Sequence, residues 1–361
     1  MKVVLALFLG LLATATPVAG ELHFFHPEGE IHELNHLSVE ETALRYQPQD
    51  RRPYSESWYY LGVNEAGALF ISHFSLARIN IFFEQYTVDF GVYLPDGTAY
   101  YRTKSYLKSD IEVETDQFQI KLGKNSLGGT LENQRLHIEE EDFTVDLNFT
   151  PQAPAFRDGD GRIYLDQGKK DYMDVTYQPS MEVEGDVTIG DRTIQWKGWG
   201  YADHVRQTFL PNEFADRLYA FRVKMGDLFI STLDYFPNQE IHPERLPSLI
   251  VAYKDRLLHV GHDYRLEETE LHADPERNIS VPKGFRLTAE TEAFELNCTS
   301  TGKMLQRVDL LAAIGPFARS ILSFSGVSSF DYIFSEEVDC LIASPEVSGS
   351  FSGKGVLEIV R

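Results

Sequence analysis

Gly198-Trp199-Gly200-Tyr201-Ala202-Asp203-His204 lies near the middle of the chain and places aromatic, acidic and imidazole side chains beside two glycines. Glycine allows close backbone approach and positive φ, so this stretch can end a strand sharply and fix the directions of the side chains that follow. An Asp beside a His can orient the imidazole and stabilise its protonated form. The candidate catalytic residues are therefore His204 or Asp203 for proton transfer and Tyr201 as a hydrogen-bond donor. In the alternative interpretation, Asp203 and His204 form buried structural hydrogen bonds at a strand end.

The chain from Trp58 onward consists of short β-rich runs with frequent turn signals and little helical periodicity, which predicts an all-β protein. A connector rich in Pro, Gly and Asp over 151–168 separates two comparable series of strands. Two consecutive β-barrel-like halves fit this pattern better than one large sandwich. We predict an N-terminal extension over 21–55, a first barrel over 56–178 and a second barrel over 179–361.

One interruption of the second series lies at 314–326. Pro316 stands there at a first helical position, and Phe317, Ile321 and Phe324 follow at helical spacing. The pattern predicts a short amphipathic helix in the C-terminal half, with the structural role of covering a barrel end.

Residues 1–20 have the pattern of a secretory signal, with Lys2 before an apolar run and small residues at the end. This predicts a secreted or periplasmic protein. The apolar run is short for a bilayer and no second long run follows, so we expect no stable membrane insertion. A net charge of −22 at pH 7 argues against nucleic acid as a partner. In an oxidising compartment, Cys298 and Cys340 can form a disulfide.

The stretch Glu56-Ser57-Trp58-Tyr59-Tyr60-Leu61-Gly62 resembles the Glu-Trp-Trp-Tyr-x-x-Gly opening strand of the AttH/CrtC group of lipocalin-like proteins. This group includes hydroxyneurosporene synthases and is related to survival-factor-1-type proteins. The stretch 198–204 resembles the group's Gly-x-Gly-Tyr-x-Asp-His motif, and 349–358 resembles its Gly-rich closing strand. The resemblance implies two consecutive lipocalin-like (calycin) barrels that bind apolar ligands inside a barrel or between the halves.

Activities differ within the resembling group: some members hydrate polyene carbon–carbon bonds, relatives fold or cyclise apolar substrates, and others have no known reaction. The fold therefore does not fix the function. This chain also departs from the pattern, because Ser57 replaces a Trp and Val205-Arg206-Gln207 follows His204 where many relatives have an aromatic residue and then Gly. The second departure weakens a direct transfer of hydratase activity.

Aromatic side chains on the first series of strands can line an apolar pocket, or they can simply form core. Arg78 can meet a ligand head group or face solvent. Trp58 and Trp199 can shape a pocket and stabilise positive charge through their π faces. The candidate ligand-binding residues are Trp58, Tyr60, Phe74, Arg78 and Trp199.

His32-Glu33-Leu34-Asn35-His36 matches His-Glu-x-x-His, which on a helix places two imidazoles on one face for zinc. This leaves a zinc-dependent hydrolase as a remote alternative. Pro27 and Gly29 lie just before the motif, and a short segment at the N-terminal edge has little around it to enclose a catalytic site. We therefore expect neither a metal nor another cofactor.

The sequence thus favours an exported lipocalin-like protein that binds an apolar, lipid-like or isoprenoid-like molecule. Acid–base chemistry of the hydratase, isomerase or cyclase type at the Tyr-x-Asp-His motif is the catalytic hypothesis. A carrier or scaffold without catalysis is the alternative, in which Asp203 and His204 only tie the two halves together.

Overall fold

A computed structural model describes residues 36–80, 83–159, 161–164, 171–209, 214–237, 245–291, 294–310 and 330–361. These residues form two curled antiparallel sheets, so the prediction of an all-β protein with two lipocalin-like barrels is confirmed. Two 3-10 helices, Glu41–Leu44 and Lys108–Asp110, interrupt the strands. No helix within the described ranges is long and apolar enough to cross a membrane. The signal at 1–20 and the helix at 314–326 lie outside the described residues.

Within these ranges the first sheet contains 14 strands, and its main path has the order β5-β4-β3-β2-β14-β13-β10-β9-β8-β7-β6. Its strands are β1 (His36–Ser38), β2 (Tyr54–Asn64), β3 (Leu69–Asn80), β4 (Phe83–Tyr93), β5 (Ala99–Ser105), β6 (Ile111–Val113), β7 (Phe118–Leu122), β8 (Asn125–Gly129), β9 (Gln134–Glu140), β10 (Phe143–Pro151), β11 (Phe156–Asp158), β12 (Arg162–Tyr164), β13 (Tyr172–Ile189) and β14 (Arg192–Gln207).

In the part of the chain that the structure describes, the second sheet contains nine strands in the order β18-β17-β16-β15-β23-β22-β21-β20-β19. Its strands are β15 (Ala215–Met225), β16 (Leu228–Pro237), β17 (Leu249–Tyr253), β18 (Arg256–Gly261), β19 (Arg265–Asp274), β20 (Ile279–Thr291), β21 (Phe294–Asp309), β22 (Phe330–Ala343) and β23 (Ser348–Val360).

The hairpin of β13 and β14 belongs to the first sheet, although the sequence places most of it in the second barrel, from 179 onward. β14 pairs with β2 from Gly198↔Asn64 to Gln207↔Ser55, and β13 pairs with β10. The division between the two sheets therefore falls between Gln207 and Ala215. The hairpin belongs to the first sheet because its second strand, β14, pairs with β2, the first long strand of that sheet.

β2 and β14 are buried on both faces over part of their length. In β2, burial alternates from Tyr54 to Tyr59 and is then continuous to Asn64. Alternation is typical of a strand with one wet face, whereas continuous burial means that the outer face is covered as well. The outer faces of these strands are covered by the second sheet, with apolar clusters that join residues of both sheets.

Gly198 and Gly200 allow the backbone of β14 to approach the backbone of β2 closely. A Cβ at Gly198 would lie 1.9 Å from Val63 O, and one at Gly200 would lie 2.5 Å from Leu61 O. Neither glycine has a φ in the left-handed range, so their role is space rather than a positive-φ turn.

Each sheet encloses its own apolar core. In the second core, Cys298 of β21 and Cys340 of β22 stand directly opposite each other and form a disulfide. One acid is also enclosed there. Glu336 is fully buried on the inward face of β22 between Phe334 and Val338. Its carboxylate occupies the space above Gly302, where a Cβ would lie 2.0 Å from Oε1.

Burial raises the pKa of Glu336 to about 7, and the nearby Ser300 side chain acts in the opposite direction. A raised acid pKa favours the neutral form, so the contribution of Glu336 to stability is full below the ordinary Glu pKa and is lost as the pH rises through about 7.

We predict that Glu336→Gln raises the free energy of unfolding at about pH 8 by up to ~3 kcal/mol and changes it little at about pH 4. Urea unfolding at both pH values measures this difference. Glu337→Gln, at the exposed next position of β22, is the matched control. Equal effects of Glu336→Gln at the two pH values would show that the pKa of Glu336 is not raised in the folded protein.

Candidate functional site

The predicted catalytic residues lie on β14, where consecutive side chains face opposite sides. His204 points into the first barrel and contacts Trp58, whereas Asp203 points to the second sheet and lies near Arg222 of β15. Tyr201 and Trp199 share the outward face with Asp203, because the side-chain period of a strand is two. The structure therefore brings Asp203 and Tyr201 to one surface and does not bring Asp203 to the imidazole of His204.

His204 is enclosed on all sides, with 1 % of its surface exposed. Its ring stacks on Trp58 at a centroid distance of 4.6 Å. Nδ1 lies 2.6 Å from the carbonyl oxygen of Ala43, and Nε2 lies 2.9 Å from Oε1 of Glu56. Because a carbonyl only accepts, Nδ1 carries a hydrogen, and one further proton must lie between Nε2 and the buried Glu56 carboxyl.

The same group of side chains fixes the segment 43–47 to the end of the first barrel. Trp58 donates from Nε1 to Leu44 O at 2.8 Å. The backbone N–H of Gln47 donates to Glu56 at 3.1 Å, and the Tyr54 hydroxyl lies 2.8 Å from the same carboxylate. These contacts agree with the structural interpretation of His204, because both ring nitrogens form hydrogen bonds inside the fold.

Arg222 is the centre of a buried polar cluster between the sheets, which we call the inter-sheet cluster. Its Nη1 donates to Glu358 Oε2 at 2.6 Å, and its Nη2 lies 3.9 Å from Asp203 Oδ2. The guanidinium lies 4.3 Å from the ring centroid of Tyr201 and 4.8 Å from that of Tyr59. Tyr59 donates its hydroxyl hydrogen to Glu358 at 2.5 Å. The cluster therefore joins residues of the first sheet to residues of the second.

Burial raises the pKa of several acidic groups in this cluster, which favours their protonated forms. Burial raises the pKa of Asp203, although the Arg222 guanidinium acts in the opposite direction. Burial and the Glu358 carboxylate raise the pKa of Asp331 on β22, whose Oδ1 is buried with no hydrogen bond within the described ranges. Burial also raises the pKa of the Tyr201 phenol. One guanidinium thus faces several carboxyl groups, so protonated acids are favoured here.

Trp199 lines a cleft of about 600 Å³ between the sheets, which we call the inter-sheet cleft. Val63 and Gln152 line it from the side of the first sheet, and Lys224 lines it from the side of the second. The Trp199 ring lies 6.1 Å from Phe229, which in turn lies 6.3 Å from Tyr201. Aromatic contacts therefore connect Trp199 in the cleft, through the buried Phe229, to the buried Tyr201 of the inter-sheet cluster.

The other predicted ligand-binding residues lie elsewhere. Trp58, Tyr60 and Phe74 are fully buried in the core of the first barrel. Arg78 donates to the carbonyl oxygen of Gln49 at 3.2 Å and to the Tyr46 hydroxyl at 3.1 Å, below the N-terminal segment. Only Trp199 of the five predicted ligand-binding residues lines the inter-sheet cleft.

Sequence reasoning missed Arg222, Glu358 and Asp331, and it placed Tyr59 among the aromatic residues that line the first barrel, whereas the Tyr59 hydroxyl contacts Glu358 of the second sheet. A signal was present for two of them, because Arg222 and Glu358 each interrupt an apolar strand, LYAFRVKM and VLEIV. A charged residue inside such a run is rarely buried unless it is paired. What the sequence could not give is the partner, since Tyr59 and Glu358 are 299 residues apart.

A second groove, of about 900 Å³, lies at the rim of the second barrel. Arg245 lines it and forms an ion pair of 3.0 Å with the buried Asp234. Burial raises the pKa of Asp234 to about 6. Residues 32–35 of the His-Glu-x-x-His stretch 32–36 lie outside the described residues, and His36 begins strand β1. No group of three metal-ligating side chains occurs within the described residues.

Comparison with known proteins relates the whole architecture to one family and several structures. The Svf1 family matches residues 49–359, and no curated protein sequence matches. A protein from Nitrosomonas europaea described as AttH has a TM-score of 0.63 at 16 % identity, over 87 % of this chain and 93 % of that one. At these identities the likeness shows the fold.

Two further structures have the same fold. CghA, crystallised with Sch210972, has a TM-score of 0.64 at 10 % identity, over 91 % of this chain and 98 % of that one. Kievitone hydratase from Nectria haematococca has a TM-score of 0.55 at 12 % identity, over 91 % and 97 %. These neighbours confirm the resemblance to the AttH/CrtC group of lipocalin-like proteins.

We predict that His204→Ala lowers the free energy of unfolding by about 3 kcal/mol, because it leaves the Glu56 carboxyl buried without its main partner. Urea unfolding measures this loss. Replacing both partners, His204→Leu with Glu56→Leu, should restore part of it, since no charge is then left unpaired. A loss below about 1 kcal/mol for His204→Ala, the size of an ordinary surface substitution, would contradict the structural network.

Proposed function

The chain belongs to the Svf1 family, and from this premise we propose that it binds an apolar small molecule in the inter-sheet cleft and performs acid–base chemistry on it at Asp203 and Tyr201. The observation that carries the proposal is the placement of Trp199, Tyr201 and Asp203 at alternate positions on one face of β14. Trp199 lines the cleft, whereas Tyr201 and Asp203 are buried. In this proposal the ligand extends along the strand from Trp199 to the buried acid.

The proposed reaction is the addition of water to a carbon–carbon double bond, or its reverse. Asp203 in its acid form gives a proton to one alkene carbon, water bonds to the other carbon, and the carboxylate takes a proton back from that water. The rings of Tyr201 and Trp199 stabilise the positive charge that develops between the two steps. A carboxylic acid whose pKa is raised by burial suits this role. Kievitone hydratase, a structural neighbour, carries a reaction of this class in its name.

His204 has a positioning role in this proposal rather than a catalytic one. It is the neighbour of Asp203 in sequence, and it holds β14 to the N-terminal segment through Glu56 and Ala43. A substitution at His204 therefore affects the position of Asp203 through the backbone of β14, because the two side chains share no proton.

A carrier or scaffold without catalysis is the second candidate function, and one observation favours it. Glu358 accepts hydrogen bonds from both Tyr59 of the first sheet and Arg222 of the second, so the cluster also has the arrangement of a purely structural connection between the sheets. The two candidates differ in whether the wild-type protein turns a substrate over and loses that turnover when Asp203 is replaced by a neutral isostere.

Export is part of the proposal as well. It is supported by the Cys298–Cys340 disulfide, because disulfides persist in oxidising compartments and are rare in reducing ones. The signal pattern at 1–20 gives the same expectation.

We predict that phenylnaphthylamine, a neutral apolar fluorophore, binds against Trp199 and that Trp199→Leu weakens its affinity about tenfold, ~1.4 kcal/mol. A fluorescence titration measures the affinity. Trp196→Phe is the matched control, because Trp196 is 2 % exposed inside the first barrel. If Trp199→Leu binds the fluorophore as tightly as the wild type, the ligand site is not in this cleft.

We also predict that Asp203→Asn lowers turnover about 10²-fold and leaves phenylnaphthylamine binding within about twofold. The assay incubates the protein with an apolar extract of its own source and uses mass spectrometry to find a compound that gains or loses one water. Asp216→Asn, a change at the exposed start of β15, is the control. Turnover that survives in Asp203→Asn would assign the proton transfer to another group, and absence of any turnover in the wild type would favour the carrier.

A further inference from the structure

Three lysines from three strands meet at the mouth of the inter-sheet cleft. Lys197 lies on β14 of the first sheet, and Lys224 of β15 and Lys354 of β23 come from the second. Each stands two residues outward from a residue that packs between the sheets: Trp199, Arg222 and Val356 respectively. The period of two in a strand therefore places all three side chains on the surfaces that face each other.

These lysines lack the ion pairs that other cations of the protein form. Across the described ranges, Lys197, Lys224 and Lys354 have no carboxylate within salt-bridge distance. Glu65 and Glu182 also line the cleft, which leaves an excess of positive charge there. This local sign is opposite to the net charge of −22 for the whole chain.

Lys224 is the most informative of the three. It is half-buried, and burial lowers the pKa of its ammonium group, against the opposite effect of Asp227 and Glu182. A cation that is partly removed from water without a close partner gains interaction energy when an anion enters the site. The mouth of the cleft is therefore a better environment for an anionic group than for an apolar one.

We infer that the ligand of the inter-sheet cleft is an amphipathic anion. The lysines hold its carboxylate, sulfonate or phosphate head at the mouth, its apolar body packs on Trp199, and its far end reaches Tyr201 and Asp203. This inference rests on the proposed function and adds the substrate class. A strand rises about 3.3 Å per residue, so Lys197 and Asp203 are ~20 Å apart along β14, and an extended ligand spans that distance.

The test compares two probes that differ in one anionic group. Anilinonaphthalene sulfonate carries a sulfonate on the same apolar skeleton that phenylnaphthylamine presents without charge. We expect Lys224→Met, and more strongly the triple change Lys197→Met, Lys224→Met and Lys354→Met, to weaken the sulfonate probe about tenfold or more. Affinity for the neutral probe should stay within about twofold. Lys303→Met, at an exposed lysine of β21 outside the cleft, is the control.

The outcomes separate the two proposals. If the neutral probe depends on Trp199 but the sulfonate probe is insensitive to the lysines, the cleft binds ligands and the anionic head is refuted. If neither probe depends on Trp199, the proposed function fails and this inference fails with it. If the sulfonate probe depends on the lysines but not on Trp199, the lysines hold a free anion and an amphipathic ligand is refuted.

Discussion

The rest of the structure depends on the burial of β14 on both of its faces. This strand closes the first sheet beside β2, and its outer face packs against the second sheet. Gly198 and Gly200 permit the close approach to β2 that this position requires. Because alternate residues of one strand then face two different environments, His204 takes part in the first barrel's structure while Asp203, one residue away, faces the space between the sheets.

The inter-sheet cluster shows why this space is more than an apolar interface. Taking ionisable groups out of water costs several kcal/mol for each ion unless hydrogen bonds replace the lost hydration. Apolar side chains alone would therefore hold two sheets together equally well. Arg222, Glu358, Asp203 and Asp331 nevertheless meet there. Buried acids with raised pKa values concentrate at functional sites, and here Asp203 lies on the same face of β14 as Trp199, which lines the cleft.

Much of the fold and part of the site can be predicted from the sequence. Period-two runs such as YSESWYY predict the strands, and the motif at 198–204 marks the strand on which the candidate site lies. The same period implies that Asp203 and His204 face opposite ways, so their pairing was an interpretation that the strand geometry does not support. The assignment of 172–207 to the first sheet, and the contact of Tyr59 with Glu358, depend on pairings between distant segments that no local pattern encodes.

The central claim is that the ligand lies between the two sheets and not inside either barrel. A crystal structure of the protein grown with phenylnaphthylamine tests it most directly. The account predicts density for the fluorophore against the ring of Trp199, extending toward Tyr201 between β14 and β15. Density enclosed by the first barrel beside Trp58 and Phe74, or at the rim of the second barrel beside Arg245, with none at Trp199, would contradict it.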